Sequence, residues 1–161
     1  MQRTFSDAAL LLARITMAAL FIPGGLHKLM DLASFTASMQ KQGVPFADML
    51  APLGAGVEFF GGIAVLIGFQ TTLAALLLMI FTIIATSIAH RFWEFEGTVR
   101  QMQQTNFFKN LAIIGGFLAL SVSGGGRYCV DRLWRRGAPA NERRYIRDRR
   151  EKSWSVPAPT R

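Results

Sequence analysis

A chain of 161 residues, 51% hydrophobic and 17% charged, has room for one domain. Its single cysteine, Cys129, excludes an internal disulfide and a cysteine-built metal cluster. The net charge of +8 is segregated, scarce between Ala8 and Phe92 and dense after Arg127, which argues against an ordinary soluble domain.

The first apolar run spans residues 8–29. Arg3 ahead of DAALLLARITMAALF faintly resembles a secretory leader, but Arg14 interrupts the run and the run outlasts a leader. A retained first span is expected, with Pro23 as a kink and Gly24-Gly25 loosening the turn after it. The stretch DLASFTASMQKQGVPFADM then reads as a polar connection with short amphipathic helical pieces and a turn at Gly43-Val44-Pro45.

A second span over 50–69 and a third over 73–90 are separated only by Gln70-Thr71-Thr72, which predicts a tight antiparallel hairpin. RFWEFEGTVRQMQQTN is expected as a surface loop or interfacial helix. A fourth span over 107–122 ends at Gly124-Gly125-Gly126, a helix terminator rather than a phosphate loop. Its apolar core is short, so Lys109 must snorkel or the bilayer must thin.

The expected fold is therefore all-α: a polytopic four-helix transmembrane bundle over residues 1–134, followed by a basic, mobile tail over 135–161. From Arg127 to Arg161, eleven Arg and Lys stand against four Asp and Glu, a net +7. Nucleic-acid binding is one reading of such a tail. The positive-inside bias is the favoured one, because the tail follows directly on a span. Four spans put both termini on one side, so both are expected in the cytoplasm. Lys41, Arg91 and Arg100 in the outward loops run against the rule. The tail itself is free to rest on anionic lipid.

Ionisable groups inside spans are expensive and face protein or pair with one another. Arg14, Glu58 and His90 are the informative ones. Glu58 shares a stripe with Gly54, Gly61 and Gly68, at helical steps that turn it toward a neighbouring helix. It lies about 12 Å below the outer end of its span at ~1.5 Å per residue. His27 and Lys28 end the first span, His90 and Arg91 the third, and Lys109 and Asn110 begin the fourth. These residues are expected to form one outward-facing polar layer above Glu58, with Phe92, Trp93 and Phe95 as an aromatic rim or an interfacial belt. Arg14 is a buried charge at the inner side; Glu58 is either packing glue or a site carboxylate. The partners open to Glu58 are Arg14 from below, His27 or His90 from above, or Lys28.

At these residues the chain resembles the DoxX family of small bacterial membrane proteins. The resemblance rests on LLLARITMAALFIPGGLHKLMDLASF, APLGAGVEFFGGIAVLIGFQTTLAALLL, HRFWEFEG and NFFKNLAIIGGFLALSVSGGGRYCVD, which together cover about residues 8–133. The family pattern matches Arg14, Gly25, Lys28, Glu58 before Gly61-Gly62, His90 with Trp93, Asn106 and Lys109-Asn110. Cys129 stands where a serine is more usual, and the segment from Arg135 extends past the family core. The resemblance implies an inner-membrane four-helix bundle associated with redox partners, since some relatives are subunits of thiosulfate:quinone oxidoreductases and others are linked to thiol or oxidative-stress complexes.

The chain carries no haem-ligand pairing, iron–sulfur cysteine set or dinucleotide fingerprint, and no metal site is expected. Whether it catalyses anything is left open. The first reading is a membrane subunit that interacts with quinone and helps a redox partner. The alternatives are a transporter or cargo-binding module for a small solute or lipid, and a structural membrane protein whose charges only fix helix pairing. A quinone is the candidate cofactor. Membrane lipids, a soluble redox subunit and further copies of the chain are the candidate partners, and nucleic acid is not expected.

Overall fold

The computed structural model describes residues 2–137, with side chains from Phe5 to Trp134. The tail expected over 135–161 lies outside the described residues from position 138 onward. Six helices follow in order: α1 (Gln2–Met30), α2 (Leu32–Lys41), α3 (Ala47–Ile67), α4 (Thr71–Ala89), α5 (Gly97–Ser123) and α6 (Val130–Gly137), with a 3-10 turn at Phe92–Glu94. Four of them are long and apolar enough to cross a membrane: α1, α3, α4 and α5.

Local chemistry sets the boundaries. α1 runs through Pro23 without ending, as helices in lipid tolerate when neighbours satisfy the freed backbone. Gly68 (φ 71°) and Gln70 (φ 45°) both adopt left-handed backbone, which folds the α3–α4 connection into three residues. The Asp131 carboxylate accepts from the N–H groups of Gln70 (2.7 Å) and Thr71 (3.0 Å), capping α4 from a distant part of the chain. α5 ends where Gly124 (φ 71°) turns the chain out of the helix.

α5 corrects an expectation. Residues 98–106, read as part of a surface loop or a separate interfacial helix, belong to one continuous helix with the fourth span. The break falls at Gly97 (φ 59°) instead. Between there and Gly115 no glycine or proline interrupts, and Arg, Gln and Met are good helix formers. The helix therefore projects a polar extension beyond its apolar part.

α1 packs on α3, α3 on α4, and α4 on α5, and α5 meets α1 to close the bundle. The core is small: Phe21, Val65, Ala74, Ala75, Leu78, Phe117 and Leu120, with the Phe21 and Phe117 rings edge-to-face at 5.1 Å. Leu12, Leu20, Phe60, Ile80 and Leu118 point outward. In water such a surface would be an aggregation hazard; in lipid it meets a matched solvent.

Small residues set how closely the helices approach. The buried face of α3 is Ala47, Ala51, Ala55, Glu58, Gly62 and Val65, at steps of three and four. A Cβ added to Gly62 would lie 3.2 Å from the Phe21 Cβ on α1, whereas Gly61 faces Leu78 on α4. The stripe facing α1 is thus displaced from the glycines expected to define it, because α3 sits between two helices and uses small residues against both.

Candidate functional site

The antiparallel order brings the end of α1, the first half of α3, the end of α4 and the first half of α5 to one end of the bundle. A cavity of about 550 Å³ opens there, roofed by α2. Its polar lining includes Lys28, Glu58, His90 and Asn110; Phe35, Leu53, Val57, Phe81 and Ile84 are among its apolar walls.

Glu58 is buried and forms an ion pair with the half-buried Lys28. Lys28 lies one turn beyond Gly24 on α1, and the glycine makes the pairing possible. A Cβ on Gly24 would lie 2.6 Å from Oε1 of Glu58, and one on Gly25 would lie 2.5 Å from the backbone nitrogen of Phe59. The glycine pair lets α1 approach α3 and leaves the space that the carboxylate fills. The Lys28 ammonium also sits 5.4 Å from the centre of the Phe35 ring of α2, a cation–π contact.

Glu58 lies eleven residues into α3, roughly 16 Å along the helix from Ala47. At such depth a carboxylate is expected to face protein and pair, as Glu58 does with Lys28. Of the partners open to Glu58, the structure selects Lys28.

His90 Nδ1 lies 2.7 Å from Oε1 of Gln103, on the polar extension of α5. That contact fixes the ring and leaves Nε2 for other use. Asn110 donates to Thr86 Oγ1 (2.9 Å), Thr86 donates to the Thr82 carbonyl, and Thr82 to the Leu78 carbonyl, both at 2.6 Å. The threonine ladder ties α5 to α4 and aims Asn110 at the cavity.

Three other members of the expected layer lie elsewhere. His27 is exposed and does not line the cavity, because its position turns away from the face shared by Gly24 and Lys28. Arg91 pairs with Glu94 at 3.1 Å within the loop. Lys109 is exposed, donates to Asn106 at 3.0 Å and does not line the cavity. The aromatic cluster of Phe92, Trp93, Phe107 and Phe108, with centroids 5.2–6.4 Å apart in contacting pairs, sits beside that loop. Sequence reading missed the roof: Phe35 and Met39 share a face at a step of four, with Gln42 one turn on.

Arg14 is held far from Glu58, at the opposite end of the bundle. Its guanidinium donates to four backbone carbonyls: Val65 (2.9 Å), Leu66 (2.6 Å), Gly125 (2.7 Å) and Tyr128 (2.7 Å). The first two close the last turn of α3 and the other two belong to the loop before α6. Arg14 is a buried clamp whose hydrogen-bond partners are all backbone carbonyls.

Outside the spans, the Asp31 carboxyl caps α2 through the Ser34 N–H at 3.2 Å. Hydrogen bonding from the Ser34 side chain, then from its backbone, holds that carboxyl below the usual carboxylate range.

The DoxX family model matches residues 9–91. Inner membrane protein YqjF of Escherichia coli K12 is 38% identical over 131 residues, covering 81% of this chain and 95% of that protein. Inner membrane protein YphA of the same organism is 32% identical over 123 residues, covering 76% and 88%. ER-derived vesicles protein ERV29 of Saccharomyces cerevisiae is 31% identical over 75 residues, 47% of this chain and 24% of that protein. No solved structure gives a significant match.

Proposed function

We propose, since this chain belongs to the DoxX family, that it is a multi-pass inner-membrane protein whose cavity holds an amphipathic, quinone-like molecule for a redox partner. The carrying observation is the cavity's composition: apolar walls that suit a substituted ring, and a polar end supplied by Lys28, Glu58, His90 and Asn110. Few placed polar groups in an apolar pocket are what orients such a ligand. Lys28 and Asn110 offer donors to ring carbonyls, and Glu58 accepts from a hydroxyl when the ring is reduced. Because Nδ1 donates to Gln103 Oε1, His90 Nε2 is left to accept from a hydroxyl of the reduced ring.

In this reading both termini are cytoplasmic and the cavity opens toward the outer leaflet, as the basic sequence after α5 favours. The redox partner is a soluble subunit, and the chain itself binds and orients rather than carrying electrons.

Purification in mild detergent followed by mass spectrometry of bound small molecules tests the reading. A quinone retained by the parent and lost from Glu58→Gln, with the variant still folded, is the expected outcome. Absence of quinone from the parent, together with absence of a redox subunit, would favour the solute-binding or purely structural alternative.

A further inference from the structure

The geometry points to a second ligand site at the other end of the bundle: a groove between the end of α3 and α6 that binds an anionic phospholipid. The groove encloses about 410 Å³ and is lined by Ile67, Arg127, Tyr128, Cys129, Val130 and Leu133. Its position is fixed. Arg14 holds the preceding loop through the carbonyls of Gly125 and Tyr128. Asp131 donates its N–H to the Gly68 carbonyl (3.1 Å), so α6 starts against the α3–α4 turn. That turn joins two membrane-spanning helices, which places α6 at the level of lipid headgroups.

The side chains offered there fit a lipid with a negative head. Leu133 and Trp134 are 66% and 68% exposed, and Trp134 rests against Phe69 with ring centres 6.2 Å apart. Such residues on a short helix are a poor surface for water and a good one for the acyl boundary.

Arg127 and Arg132 are exposed beside them and form no ion pair among the described residues. The nearby carboxylates are committed to backbone groups: Asp7 accepts the Arg127 N–H at 2.8 Å, and Asp131 caps α4. Arg127 in the groove lining and Arg132 exposed on the adjoining helix complement a phosphate above its acyl chains. A zwitterionic lipid presents the same phosphate with a cationic group attached, which the arginines repel.

The test uses the full chain carrying Trp93→Phe and Trp154→Phe, so that Trp134 alone reports. It is placed in phosphatidylcholine nanodiscs containing a fixed fraction of either brominated phosphatidylglycerol or brominated phosphatidylcholine. Brominated phosphatidylglycerol should quench Trp134 more strongly. Arg127→Gln with Arg132→Gln should cut that preference by roughly fivefold per arginine. Leu133→Gln, measured alongside, should lower quenching by both lipids. Equal quenching by the two lipids in the parent would overturn the site. So would a preference that survives the double arginine change, since the source would then be the sequence beyond residue 137.

Discussion

Gly24 and Gly25 stand next to each other and do different work. The Cβ of an alanine at 25 would meet backbone atoms of Phe59, which move only if α1 and α3 separate. Gly25→Ala should therefore destabilise the bundle by about 1–3 kcal/mol, read as a lower melting temperature in detergent. At 24 the clash is with the far end of the Glu58 side chain, which swings away cheaply. Gly24→Ala should melt near the parent while disturbing the Lys28–Glu58 pair and any ligand it holds. Equal melting losses in both variants would contradict this division.

Glu58 could be recognised in the sequence as protein-facing, because a carboxylate on a small-residue stripe has nowhere else to go. Its partner could not be chosen among Arg14, His27, Lys28 and His90, since that choice depends on the packing angle of α1 on α3. The role of Arg14 was hidden for a different reason. Its partners are carbonyls, which every residue carries, so no side-chain pattern marks them. The loop glycines at 124–126 were the available clue, as glycine lets backbone approach a guanidinium closely.

Among the elements, the four spans follow from apolar length, and their order and hairpin from the short α3–α4 connection. α2 was visible only as short helical character. Its function as a roof depends on Phe35 and Met39 meeting residues of α3 and α4 far away in sequence. The polar start of α5 was misplaced because hydropathy marks where a helix enters lipid, not where it begins. α2 buries no residue completely and leans on its cap.

Asp31→Ala should accordingly speed amide hydrogen exchange over residues 34–41 while leaving α3 and α4 protected. The native carboxyl is held below its ordinary range. The cap's contribution is then fully present above the unfolded value of about 3.9 and is lost as pH falls through the lower folded value. The difference between parent and variant, corrected for intrinsic rates, should stay level from pH 7 to about pH 5 and vanish only in stronger acid. A difference that already fades near neutrality would contradict the Asp31 cap.

The whole molecule has two polar ends of unlike construction. At the end where α6 meets the α3–α4 turn, Arg14, Asp131 and the glycine loop saturate backbone groups and hold the helices together. At the other end, a half-buried ion pair, a pinned histidine and an asparagine border an open cavity. The first arrangement is a clamp and the second is suited to a ligand. The proposed sidedness rests on charge: a reporter fused after Trp134 should be active in a cytoplasmic format and silent in a periplasmic one. The reverse result would turn the cavity toward the cytoplasm and move the proposed redox partner with it.

Photo-crosslinking decides most directly whether the cavity is a binding site. Purified protein would be irradiated with a short-chain quinone bearing an azide, and the labelled peptides mapped by mass spectrometry. Label should concentrate on the peptides carrying Phe35–Met39, Leu53–Glu58 and Phe81–His90, compete with unmodified quinone, and fall sharply in Glu58→Gln. Label spread over the lipid-facing residues of the spans, indifferent to competitor and to the Glu58 change, would contradict a quinone site there.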